Sequence, residues 1–228
     1  TAIRRQRQMC IRDSLTIKDN SLIVATQGRS IWMIDDLTVF HQLTPSTDQV
    51  KLYKPKDSYR MGGAGGRKSL TAGTNLPNGA IIHYFIPNYS KENDQVSLSI
   101  HSSDGTLIKE FSDKSKENLL KVKNGGNSFV WNMKYPGAKR LDNMVLWGAD
   151  FSGAKAVPGN YIVKLKVNDT ELTQEFTIHK DPTSEGSIDD IKAQFEFVNE
   201  INEVVDKAHK AIENIRSMKT CLLYTSDA

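Results

Sequence analysis

Residues 160–179 read NYIVKLKVNDTELTQEFTIH. Tyr161, Val163, Leu165 and Val167 alternate with mostly polar residues, and Leu172, Gln174, Phe176 and Ile178 do the same beyond Asn168-Asp169. Side chains two apart share one face of a strand, so the stretch predicts a hairpin with one buried side. Asn and Asp accept the positive φ that such a short turn needs. The same rhythm appears upstream. Residues 95–101 (QVSLSIH) place Val96, Leu98 and Ile100 on one face, and Ser103-Asp104-Gly105 turns the chain into 106–111 (TLIKEF). Residues 80–86 (AIIHYFI) end at Pro87, while 118–122 (NLLKV) and 127–133 (NSFVWNM) flank Asn124-Gly125-Gly126. About seven short strands with frequent turns predict a mainly β fold: an immunoglobulin-like antiparallel β-sandwich over residues 80–181. No Cys–Trp–Cys spacing is present, which excludes the antibody type.

After Asp181-Pro182 the period changes. Ser187 precedes Ile188, with Asp189 and Asp190 suited to a helix N-terminus. Ile188, Ile191, Phe195, Val198, Ile201, Val205, Ala208, Ile212 and Ile215 follow at steps of three or four. This predicts one long amphipathic helix over 187–219. A stripe of that length needs a partner: a coiled-coil mate, the sandwich itself, or a second helix of a hairpin; the hairpin is the preferred reading, so a helix–helix contact through 188–215 is expected.

Upstream, 21–26 (SLIVAT) and 30–35 (SIWMID) flank Gln27-Gly28-Arg29 and read as a hairpin. Residues 44–79 carry Pro45, Pro55, Pro77 and the run Gly62-Gly63-Ala64-Gly65-Gly66, and read as a Gly/Pro-rich connector.

Composition limits the function classes. The chain has 228 residues, 38% hydrophobic and 25% charged, with net charge +3 and two cysteines. No run approaches the ~18–20 apolar residues of a membrane span. The charge is too small to argue for nucleic acid, and two cysteines build neither a disulfide scaffold nor a zinc motif.

The two ends stand apart from the fold. Met9–Ser14 (MCIRDS) can be encoded by ATGTGTATAAGAGACAG. The reverse complement of that DNA, read one base in, encodes Cys-Leu-Leu-Tyr-Thr, the word at 221–225. Residues 1–14 and 220–228 therefore resemble translated sequencing-adapter DNA in opposite orientations, and are expected not to be native. Without them the net charge falls to +1, because they hold four arginines and two aspartates. Both cysteines fall away as well.

LIVATQGRSIWMIDDLTVF, through Gly28, Arg29, Ser30, Trp32, Asp35, Asp36 and Leu37, resembles the closing repeat of bacterial BNR/VPS10-like β-propeller proteins with sialidase-type repeats, described as glycosyl hydrolases. The order that follows is similar too: KLYKPKDSYRM, GTNLPNGAIIHYFIP, GGNSFVWNMKYPGA, GAKAVPGNYIVKLKV, FTIHKDP. Gln27 departs from the His common there, and no strict Ser-x-Asp-x-Gly-x-x-Trp box occurs. The resemblance implies that residues 15–43 are a remnant of the terminal propeller blade. It implies that the rest of an upstream β-propeller is missing, and that the parent protein is extracellular or periplasmic.

Little in the chain points to catalysis. Asp35 and Asp36 are adjacent, so in a strand they point to opposite faces and suit a strand-end turn or cap better than a glycosidase pair. Arg29 reads as a turn residue holding carbonyls. GGAGGRKS at 62–69 lacks the Gly directly before Lys that a phosphate loop needs, and reads as linker. His41, His83, His101, His179 and His209 have no second ligand at metal spacing. No cofactor or metal is expected and no catalytic residue is assigned. Trp131, alternating with Phe129 and Met133, reads as a core anchor. Trp147 and Tyr135 are the candidate ligand-binding residues, aromatic surfaces on which a glycan could stack.

The expected function is a non-catalytic structural or docking module of a secreted glycosyl-hydrolase-like protein. Two alternatives stand beside it: a carbohydrate-binding sandwich, and part of a VPS10-like peptide-binding scaffold without hydrolase activity.

Overall fold

The computed structural model describes residues 15–25, 31–44, 48–62, 76–145, 148 and 151–226. These residues form a mainly β structure of three sheets followed by one long helix. The first sheet is an antiparallel meander of β1 (Leu15–Lys18), β2 (Ser21–Ala25) and β3 (Ile31–Ile34). Asp19 and Asn20, both at positive φ (50° and 65°), form the tight turn between β1 and β2. The sequence predicts the β2–β3 pairing; its turn at 27–29 lies outside the described residues. β1 is an addition to the expected hairpin. A one-turn helix, α1 (Thr38–His41), follows.

Residues 48–62, inside the expected connector, supply a strand to each of the other two sheets. β4 (Lys51–Leu52) pairs antiparallel with β6 (Ala80–Ile86), which in turn pairs with β9 (Gly125–Trp131). β5 (Ser58–Arg60) runs parallel to β11 (Thr170–Lys180) at one edge of a five-stranded sheet. The order of that sheet continues through β10 (Gly159–Val167), β7 (Val96–Ser102) and β8 (Leu107–Ser112). Residues 118–122 form no strand. Leu119 makes a single bridge to Ser112 and Leu120 is buried beside it, because the stretch is too short to extend the ladder.

The alternating apolar residues converge as their periodicity requires. Val96, Leu98 and Ile100 of β7, Tyr161, Val163 and Leu165 of β10, and Phe176 and Ile178 of β11 meet Ala80, Ile82, Tyr84 and Ile86 of β6 in one cluster. The two larger sheets thus bury a common core, and each fully buried large apolar side chain contributes about 1.5–3 kcal/mol of transfer free energy. Trp131 of β9 lies within it, edge-on to Phe176 and tilted against Tyr161, with its indole N–H donating to the Lys134 carbonyl at 3.3 Å. Asp113 is buried at the end of β8, where its carboxylate accepts from the Val96 amide at 3.2 Å and the Tyr89 hydroxyl at 2.9 Å.

Between β9 and β10 the chain makes a long excursion whose neck is closed by backbone pairing. The Tyr135 amide donates to Ala154 at 2.9 Å and the Ala156 amide to Met133 at 2.7 Å. The strands of the neck approach so closely that only glycine fits on either side. A Cβ on Gly137 would lie 1.7 Å from the Phe151 carbonyl oxygen, and one on Gly153 would lie 2.1 Å from that of Tyr135.

The last element, α2 (Ile188–Ser226), is capped by Ser187, whose hydroxyl accepts from the Asp190 amide at 3.1 Å. Its contacts divide the apolar stripe expected from the sequence. Ile191, Phe195, Val198, Val205 and His209 are turned from solvent, whereas Ile201, Ala208, Ile212 and Ile215 are exposed. The excursion fastens the helix polarly: the Lys139 amide donates to Asp206 at 2.7 Å, and Arg216 donates to the Asp142 carbonyl at 3.2 Å. No described helix is long and apolar enough to cross a membrane.

Candidate functional site

A cleft of about 430 Å³ opens between Asp36, the β5 segment and the start of β6. Its polar wall holds Asp36, Lys56, Asp57 and Asn78, and its apolar wall Met61, Leu76, Pro77 and Ile81, with the half-exposed Tyr59 ring between them. β5 brings Tyr59, and Pro55 with the neighbouring extended chain brings Lys56 and Asp57 to the edge of β11.

The two carboxylates of the cleft are committed to structural bonds. Asp36 accepts from the Thr38 amide at 2.9 Å and from the Asn20 side chain at 3.1 Å, which caps α1 and ties it to the β1–β2 turn. The Asn20 carbonyl also receives the Leu37 amide at 3.0 Å. Asp57 accepts from the Thr177 amide at 3.0 Å and lies 3.3 Å from His179, whose ring packs against Tyr59 at 5.5 Å. On the adjacent outer face of β6, burial lowers the pKa of His83, with Asp36 opposing the shift. These groups can hold a ligand by stacking and hydrogen bonding.

A second cavity of about 370 Å³ lies under α2, lined by Arg60, Lys134, Ser152, Lys155, Gln194 and Phe195 among others. Arg60 donates to the Ala156 carbonyl at 3.0 Å and to Gln194 at 3.1 Å, and Lys155 to the Met61 carbonyl. Burial lowers the pKa of Lys155, and the charges of Arg60 and Lys134 lower it further. The bonds of Arg60 and Lys155 stitch β5 and Met61 to the excursion and the helix. Among the described residues, no group of three or more His, Cys, Asp or Glu side chains could hold a metal.

The sequence-expected ligand residues are placed as follows. Tyr135 is half-buried beneath α2, with its ring edge-on to Phe195 at 4.8 Å. It joins helix to core and forms no part of the cleft lining. Trp147, Arg29 and most of 62–69 lie outside the described residues, and so does the expected pairing of Tyr135 with Trp147. Tyr59 and Asp57 were missed because they sit in a Pro-rich stretch without strand period. The only local signal is the extended preference around Pro55.

The small sheet offers a different kind of surface. The register places Leu15 opposite Val24 and Val24 opposite Trp32, and Ile17 opposite Leu22 and Leu22 opposite Ile34. Opposed residues share a face, so all six of these side chains project from one side of the sheet. Leu15, Ile17, Trp32 and Ile34 are exposed, and Leu22 and Val24 are half-buried.

Compared with known proteins, the chain matches no family model and no curated protein.

Proposed function

We propose that this chain is a non-catalytic structural and docking module whose small sheet is the docking surface. The observation that carries this reading is the wholly apolar face of Leu15, Ile17, Leu22, Val24, Trp32 and Ile34. A three-stranded sheet with such a face gains stability when a second layer covers it, and contiguous exposed apolar surface marks interaction sites. The expected partner is a β-layer of the upstream propeller, with residues 15–43 as its terminal blade. The core of the two larger sheets is an immunoglobulin-like support in this reading. The parent is an extracellular or periplasmic protein of the glycosyl-hydrolase-like class.

The test compares hydrogen exchange at residues 15–34 in this chain and in the chain extended by its upstream coding sequence. Protection gained in the longer protein, and lost again in Ile17→Asp, supports docking through this face. Equal exchange in both refutes it.

A second reading, carbohydrate binding, is favoured by the exposed Tyr59 ring in the cleft beside Asp57 and Asn78. It predicts glycan-array binding that Tyr59→Ala removes.

A further inference from the structure

α2 carries an apolar seam distinct from the side that packs on the excursion. Phe197, Ile201 and Val204, then Ala208 and Ala211, then Ile215 and Met218 follow at steps of four and three in strict alternation. That 3.5-residue repeat is the pattern of helices that pair along their length. The large members are exposed: Phe197 by 63%, Ile201 by 46%, Val204 by 59%, Ile215 by 64% and Met218 by 66%. Ala208 and Ala211 are exposed as well. The packed side of the helix, marked by Phe195, Asn202 and His209, lies about a third of a turn away, so the seam is open to a second helix.

We propose that α2 pairs antiparallel with α2 of a second copy of this chain. The size pattern of the seam is symmetric about its two alanines, with bulky residues on both sides. In an antiparallel pair Ala208 meets Ala211 of the other copy at the two-fold axis, and Val204 and Ile201 meet Ile215 and Met218. Alanines at the crossing let the backbones approach while the bulky ends interleave. At the rim, Lys207 then faces Asn214 of the other copy, and no acid is desolvated in the seam.

The area is sufficient. Taking a whole large apolar side chain as on the order of 150–200 Å², the exposed fractions of the five residues come to roughly 450–600 Å² per copy, so a pair buries up to about 900–1,200 Å², the lower end of what a specific interface needs.

Sedimentation equilibrium on the full chain from about 1 to 100 μM tests this, a range that brackets micromolar dissociation constants. The expected result is a dimer that Ala208→Glu weakens at least tenfold while helical circular dichroism is unchanged. In a cysteine-free background, oxidation should link the Lys207→Cys/Asn214→Cys double variant, whereas neither single variant cross-links. A chain that stays monomeric throughout, or a dimer indifferent to Ala208→Glu, overturns the proposal. So does a dimer that links as readily through either single cysteine. Ile17→Asp should leave the dimer intact. If it alone abolishes pairing, the small sheet is the contact and the helix is not.

Discussion

Tyr84→Phe should stabilise this protein. Tyr84 projects from β6 into the common core with only 1% of its surface exposed, and its hydroxyl has no hydrogen-bond partner among the described residues. Burial, with a smaller effect from Tyr89, pushes its pKa up to about 12. An unsatisfied buried polar group costs about 1–3 kcal/mol. Removing it leaves a void of one oxygen atom, roughly 10–15 Å³, which at ~24 cal/mol per Å³ returns only about 0.3 kcal/mol. The net gain is about 1 kcal/mol or more, equivalent to a rise in Tm of about 2–4 °C for a chain of this size. Urea unfolding at pH 7 with an unchanged m-value, together with calorimetry, measures it. A loss of 1 kcal/mol or more would refute the reasoning, since it would mean that the hydroxyl is satisfied and that Phe deletes a bond rather than a penalty.

Gly137→Ala should cost about 2–3 kcal/mol by overpacking, read as a lowered urea midpoint, because its Cβ meets the Phe151 carbonyl at 1.7 Å. Stability should fall as pH rises above 10 and through about 12. Tyr84 and Tyr89 are held up to about 12 and Tyr161 is also raised, so the folded state keeps protons that the unfolded state releases; a urea midpoint flat between pH 9 and 12 would contradict this. Trp131→Ala should destabilise by about 3–5 kcal/mol by chemical denaturation, whereas Ile17→Asp on the small sheet should leave the melting of the core within about 0.5 kcal/mol.

Much of the architecture is legible where one face of a long strand is buried, because burial imposes a period of two. β6, β7, β10 and β11 carry that period across seven to eleven residues each, and the hairpin at Asn168 is signalled by its turn. β4 and β5, of two and three residues, have no period to display. They are recruited by the edges of sheets whose other strands lie far along the chain, so the 44–79 stretch reads as a connector. On α2 the apolar residues alone cannot say which of two stripes meets the excursion. His209 and Asn202, polar by type, belong to the packed side, while Phe197 and Val204 do not. The cleft is less legible still. Tyr59 becomes part of it only through the parallel pairing of β5 with β11, a contact that spacing along the chain does not announce.

That pairing also sets a timetable for the nascent chain. Asp57 waits for Thr177, 120 residues downstream, before its carboxylate finds the amide it binds. At ribosomal speeds of ~5–20 residues per second, Asp57 and the β5 edge spend roughly 6 to 24 seconds without their final neighbours. During synthesis this interval, more than any weakness of the finished core, is when the polypeptide is most open to capture by chaperones or by other unfinished chains.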